Sequence, residues 1–338
     1  MEIIRKQAFA RAGLIGNPSD GYNGRTLALI VRNYSASVVL YEWEDLEILL
    51  SQEDRSRFSS IHELHRDVEL HGYYGGARLV KATIRRFADY CLQKRIELHR
   101  QNFGIRYEST IPRNVGLAGS SAIIIATLRA LMEFYQVEIP IQVQPSLALS
   151  VETRELGITA GLQDRVAQIY EGLVFMDFAQ ACSQTIDDME CGSYEQLDPA
   201  LLPSLYVAFS QQAGEPTEVT HGPLRARYDS GDEKVCSAMF EFASITDRAK
   251  DALLARDHAE LARLVDANFD LRNAICDLAP SHVEMIETAR AVGASAKFAG
   301  SGGAIVGTTP PGEYGFATLK SALNGIGCTV LSPQIGSV

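Results

Sequence analysis

The sequence has no Cys-x-x-Cys pair, no Gly-Lys dipeptide, no Gly-x-Ser-x-Gly elbow and no uncharged apolar run long enough to span a bilayer. Each absence closes a class. Cys91, Cys182, Cys191, Cys236, Cys276 and Cys328 are scattered, so neither a zinc ribbon nor a dense disulfide framework is indicated, and reduced thiols in a cytoplasm fit best. Without Gly-Lys there is no Walker phosphate loop, and without the elbow there is no α/β-hydrolase nucleophile. The stretch from Asn114 to Leu128 lacks acidic and basic residues but is short and carries Gly and Ser. Arg5, Lys6 and Arg11 leave no apolar core of signal-peptide length near the N-terminus. Basic charge is also in short supply: 31 Lys and Arg face 42 Asp and Glu, for a net charge of −11. Nonspecific nucleic-acid binding and attachment to an anionic membrane both need a basic face and are excluded as expectations. An anionic small molecule remains admissible if backbone amides hold it.

What is present is a globular composition, 46% apolar and 22% charged, and 338 residues suffice for about two domains. Leu27 to Val31 and Ala36 to Tyr41 read as strands joined by a hairpin turn at Asn33-Tyr34. Helices are expected from about Gly72 to Lys94, Ser121 to Tyr135 and Pro145 to Leu156, with strands at 104–109 and 172–178. A polar, turn-rich stretch from Gln180 to Pro203 places the boundary near 190, giving domains 1–190 and 191–338. The second half carries helical patterns at 234–256, 258–275 and 281–292, followed by a glycine-rich strand and turn at 294–307.

Some strings imitate chemistry and fail on context. His65-Arg66-Asp67 resembles a protein-kinase catalytic loop, but Gly72 stands where that loop needs Asn, and Ala179 follows Asp177-Phe178. His62, His65 and His71 lack a further ligand at zinc spacing, which favours a solvated segment. Gly300-Ser-Gly-Gly lacks the third glycine of a dinucleotide fingerprint.

Pro112-Arg-Asn-Val-Gly-Leu-Ala-Gly-Ser-Ser-Ala122 carries more weight. Its glycines allow close backbone approach, and the helix that follows aims free N–H groups and a positive dipole end at whatever sits there. Alone it reads more readily as a tight turn capping a buried helix, since Ser is an ordinary N-cap. Ala10-Arg-Ala-Gly-Leu-Ile-Gly-Asn-Pro-Ser-Asp-Gly-Tyr-Asn-Gly24 is by composition a turn-rich loop. Glu152 and Asp164 flank a Gly-containing turn, and two carboxylates from separate elements could serve a phosphoryl transfer.

Together with Lys297-Phe-Ala-Gly-Ser-Gly-Gly303, these segments resemble the motifs of the GHMP small-molecule kinases. Ala118 adds one residue to the family's ATP loop, Asn17 and Pro18 replace its Glu-His, and Gly21 is an insertion. A tighter resemblance, to the plant glucuronokinase branch, includes that extra loop residue and extends through Gly161-Leu-Gln-Asp-Arg-Val166 to Gly172-Leu-Val-Phe-Met-Asp-Phe178.

The resemblance implies a two-domain α+β fold with the active site in the interdomain cleft, and phosphorylation of the anomeric hydroxyl of D-glucuronate by MgATP. The alternatives are a GHMP kinase for another sugar, galactose-like or a heptose phosphate, and an ATP-dependent decarboxylase of the same fold. Implied in ATP binding are Pro112, Gly116, Leu117, Ala118, Gly119, Ser120, Ser121 and Ala122. Ser121 and Glu152 would hold Mg²⁺, with Asp164 and Arg11 catalytic. Asn17, Asp20, Gly300, Ser301 and Gly302 would meet the acceptor. A uronate also needs a cationic partner. Arg25, after the substrate loop, and Arg165, after Asp164, are the candidates, though either could be an ordinary ion-pair arginine. No nucleic-acid or membrane partner is expected.

Overall fold

Residues 3–49, 75–210 and 224–336 are described by a computed structural model of the chain; His62, His65, His71 and the His65-Arg66-Asp67 string lie outside the described residues. The frame is a six-stranded sheet and a four-stranded sheet, with helices packed on them.

Strand β1 (Ile3–Ile15) pairs antiparallel with β2 (Arg25–Trp43). The expected hairpin at Asn33-Tyr34 is absent, because β2 is one 19-residue strand. Its register against β1 jumps from Phe9↔Ser35 to Ala10↔Val31, so Arg32, Asn33 and Tyr34 form a bulge that the sequence presents as a polar break. The tail fastens this bulge: Arg32 N–H donates to the Gln334 carbonyl at 2.7 Å and Asn33 Nδ2 to the Ser332 carbonyl at 3.2 Å.

The length of β2 lets it serve two neighbours, β4 (Asn102–Ser109) along one half and β5 (Leu173–Asp177) along the other. Strand β3 (Glu47–Leu49) extends the sheet on β4, and β8 (Ser193–Leu197) extends it on β5. Between them in the chain, β6 (Gln184–Ile186) and β7 (Met189–Cys191) form a separate two-stranded ribbon. The first sheet therefore runs on to Leu197, past the expected boundary at 190/191, and the passage to the second sheet falls within 198–204.

Helix α1 (Gly76–Gln93) is amphipathic, burying Leu79, Val80, Thr83, Phe87 and Tyr90 at helical spacing. Helix α2 (Gly119–Phe134) is apolar nearly all round, and Ile123 to Leu128 is wholly buried. Helix α3 (Gln144–Ser150) continues into a π-helical turn, Val151–Glu155. The Gly-containing turn expected between Glu152 and Asp164 leads into helix α4 (Gln163–Tyr170), which buries Val166, Ala167 and Ile169.

The second sheet has the order β10 (Lys297–Phe298), β11 (Ala304–Thr308), β9 (Leu205–Ser210), β12 (Cys328–Leu331), with antiparallel pairs. Four helices belong to this half: α5 (Glu233–Leu254), α6 (His258–Ile275), α7 (Pro280–Ala291) and α8 (Gly315–Gly325). Asp232 and Asp257 accept from the leading amides of α5 and α6, and Pro280 opens α7 where its missing N–H costs nothing. The two halves touch where β1 ends: Gly13 N–H donates to the Ala299 carbonyl at 2.8 Å. The result is the two-domain α+β class. Among the described residues no helix is long and apolar enough to cross a membrane.

Candidate active site

A cavity of about 750 Å³ opens between the halves, a size suited to a small-molecule ligand. Its floor is the loop before α2. Ala118 sits at the helix N-cap in the left-handed region (φ 62°), no side chain caps the helix, and Gly119 and Ser120 of its leading turn line the cavity. Pro112, Gly116, Leu117 and Ala118 complete this wall. Ser121 and Ala122 are fully buried behind it in α2.

Gly116 (φ 72°) lies against the second glycine loop: a Cβ there would stand 2.8 Å from the Gly302 carbonyl oxygen. A Cβ on Gly300 would collide with the Gly116 carbonyl and come within 2.9 Å of the Arg11 guanidinium. The two loops therefore close on each other around Arg11, and only glycine permits it. Gly300 and Ser301 line the cavity, whereas Gly302 lies behind them near His282.

Arg11, buried on β1, ties the site together. Its Nε donates to Asp164 Oδ1 at 2.6 Å, and its NH1 donates to the carbonyls of Gly116 at 2.7 Å and Ala299 at 2.8 Å. Asp164 occupies the first turn of α4, at the positive end of the helix, with its side chain partly open to the cavity. Asp20, in the turn Ser19–Tyr22, reaches the same place: its Oδ2 accepts from Gln163 N–H at 3.4 Å, and a Cβ on Gly161 would collide with it. Burial first, and the charge of Asp164 second, push the Asp20 carboxyl up to about 6.

Glu152 projects from the π-helical turn and is almost fully buried. Arg165 pairs with its Oε2, and Ser120 Oγ donates to its Oε1 at 3.0 Å. The expected partner, Ser121, turns its hydroxyl to the Ala118 carbonyl at 3.2 Å. The serine beside Glu152 is thus Ser120, because consecutive helix positions point about 100° apart. Among the described residues no group of three or more His, Cys, Asp and Glu forms a metal cage. Mg²⁺ does not need one, since it takes few protein ligands plus phosphate oxygens and water. Ser120 Oγ and Glu152 Oε1, 3.0 Å apart, are oxygen donors of the kind Mg²⁺ takes.

Of the two arginines expected to meet a carboxylate, neither is available. Arg25 lies outside the cavity wall and is an ion-pair residue, donating to Asp177 at 2.8 Å and Asp247 at 3.0 Å. Arg165 is in the wall, but it is committed to Glu152 and donates to the Gly161 carbonyl at 2.8 Å. Asn17 is in place, its Nδ2 directed at the Gly300 carbonyl (3.4 Å) and its Oδ1 accepting from Lys297. Lys297 is buried, and its ammonium also donates to the carbonyls of Gly13 at 2.6 Å and Phe298 at 2.7 Å. Burial draws its pKa well down, while three acceptors match the three N–H bonds of the charged form.

Among the wall residues that escaped the motif reading are the cations Arg78, Arg225 and Arg272. Arg225 is exposed and bound to Asp229. Arg272 is buried in α6, and burial lowers its pKa. The available signal was an arginine on the apolar stripe of that helix, in step with Leu261, Leu264, Val265, Phe269 and Ile275.

Comparison with known proteins gives the family. Residues 78–172 match the family described as GHMP kinases N terminal domain. The sequence is 42% identical to Glucuronokinase 1 of Arabidopsis thaliana over 98% of this chain and 92% of that one. It is also 42% identical to Probable glucuronokinase 2 of the same plant, over 92% of this chain and 85% of that one. Lactococcus lactis galactokinase, solved with galactose, superposes with a TM-score of 0.78 over 99% of this chain and 94% of that one, at 14% identity, a likeness of fold alone.

Proposed function

The chain belongs to the GHMP kinases, and from that premise we propose that it transfers the terminal phosphoryl group of ATP to the anomeric hydroxyl of D-glucuronate, giving glucuronate 1-phosphate and ADP. The observation that carries this is the near-full-length identity to two plant relatives named as glucuronokinases. The convergence of Arg11, Asp164, Asp20 and two glycine loops on one cavity supports it.

The loop from Gly116 to Ser120 wraps the phosphates with backbone amides and the N-terminus of α2. Ser120 and Glu152 would hold Mg²⁺, which would screen the charge of the phosphate oxygens. Asp164 accepts a hydrogen bond from the attacking hydroxyl and orients it. Its hydrogen bond from Arg11 fixes the carboxylate at the cavity wall, so its part is to orient the hydroxyl. Arg11 keeps positive charge next to the reacting groups and locks both loops to β1, so that the site is organised before the transfer begins. Asp20 and Asn17 bind hydroxyls of the sugar. All six cysteines are free thiols, which supports a reducing compartment such as the cytoplasm.

The test is ADP release from MgATP across a panel of free sugars and uronic acids. D-Glucuronate is the preferred acceptor, and turnover confined to a neutral sugar would overturn the assignment.

A further inference from the structure

On the cavity wall, Arg272 differs from Arg11, Arg165 and Arg225 in having no carboxylate in ion-pair contact among the described residues. Arg11 is paired with Asp164, Arg165 with Glu152 and Arg225 with Asp229; Arg78 and Arg113 each have partners of their own. Arg272 is 3% exposed, yet among the described residues no carboxylate lies within ion-pair distance of it. Its NH1 and NH2 donate to the carbonyls of Gly300 at 2.7 Å and Ser301 at 3.0 Å, and its Nε has no hydrogen-bond partner. These two bonds, with the Cys276 thiol beside the guanidinium and the Phe298 ring 5.2 Å away, leave part of its five-donor fork unused, and the charge of Asp20 acts on it from the same cavity. The two bonds hold the guanidinium beside the glycine loop that borders the acceptor region, where Asn17 approaches the Gly300 carbonyl.

A buried guanidinium with no carboxylate in contact is costly, and a ligand that brings the missing anion recovers that cost on binding. A planar carboxylate suits the guanidinium fork. We propose that Arg272 receives the carboxylate of the uronic acid acceptor and thereby sets the preference for uronates over neutral hexoses. This rests on the glucuronate reading above. It replaces Arg25 and Arg165, whose own carboxylate partners occupy them.

The experiment compares the unmodified protein with Arg272→Met and Arg272→Lys, using D-glucuronate, D-glucuronamide and D-glucose as acceptors. The amide keeps the shape of the acid and loses its charge. In the unmodified protein, kcat/KM for glucuronate exceeds that for the amide and for glucose by about 10²-fold or more. In Arg272→Met, glucuronate falls by about 10²-fold, chiefly through KM, while the amide and glucose change by less than about 5-fold, so the preference collapses. Arg272→Lys, which keeps the charge but loses the fork, falls between. It also serves as the decisive variant if the methionine protein does not fold. Equal losses on all three acceptors would make Arg272 only a support for Gly300 and Ser301, and a loss confined to KM for ATP would make it a phosphate ligand; either overturns the proposal. Failure of the unmodified protein to use glucuronate would overturn the functional assignment instead, so the two failures are distinguishable.

Discussion

Arg11 and Asp164 are 153 residues apart in the chain and are joined by a 2.6 Å hydrogen bond from Nε to Oδ1. That bond links the first strand to the first turn of α4. Through the same guanidinium the carbonyls of Gly116 and Ala299 are drawn to the one point, so a single side chain sets the positions of both glycine loops and of the carboxylate. The catalytic account follows from this arrangement, since phosphoryl transfer depends mostly on placement and charge.

Replacing Asp164 with Asn keeps the size of the side chain and removes the charge that orients the acceptor. The expected outcome is a fall in kcat of about 10²-fold or more with ATP affinity nearly unchanged. Steady-state kinetics and calorimetry with ATP read the two separately, and a kcat near that of the unmodified protein would remove Asp164 from the reaction.

Glu152→Gln acts on two things at once. It weakens a metal ligand, so half-maximal activity requires several-fold more Mg²⁺. It also leaves Arg165 with Asp164, 3.6 Å away, as its remaining carboxylate, so the loss of stability falls below the roughly 3 to 5 kcal/mol of a fully broken buried pair. A magnesium titration and a denaturant melt check these effects independently. An unchanged titration with a lowered melt would make Glu152 a purely structural partner of Arg165.

How far the site could be read from the sequence depended on whether a feature was local. Most helices and strands followed from periodicity, and the loop before α2 from its glycines and serines. Asn33-Tyr34 misled because a three-residue bulge and a hairpin turn look alike until β1 is known to span both halves of β2. Ser120 and Ser121 are indistinguishable in a motif, and only the direction of Glu152 separates them. Arg272 belongs to no motif, and its role depends on a loop 28 residues further on.

Arg25 supplies a negative prediction. It bridges Asp177 and Asp247 outside the cavity, so Arg25→Met lowers stability modestly and leaves kcat/KM for glucuronate within about 2-fold. A selective loss of glucuronate affinity in this variant would contradict the placement.

The elevated pKa of Asp20 carries a definite sign. Unfolded, the carboxyl ionises near 3.8; folded, near 6. Between those values the folded protein holds the extra proton, so this group's contribution to stability is fully present below about pH 4 and is lost as pH rises through about 6. The stability of the unmodified protein relative to Asp20→Asn therefore declines across that window, as read by denaturant melts at several pH values. A relative stability that rises with pH would reverse the assignment.

Lys297→Met leaves the Gly13 carbonyl, Asn17 Oδ1 and the Phe298 carbonyl without this donor. The expected cost is about 3 kcal/mol, seen as a lower midpoint of thermal or denaturant unfolding. Unchanged stability would mean that relief from burying the ammonium offsets the lost bonds.

The most direct test of the central claim is to incubate the unmodified protein with MgATP and D-glucuronate and to identify the phosphorylated product by phosphorus and proton NMR. The account predicts one new sugar phosphate, carrying the phosphate on the anomeric oxygen, formed in equal amount with ADP, and far slower reaction with D-glucose. Phosphate on any other hydroxyl, or equal rates with glucose and glucuronate, would contradict it.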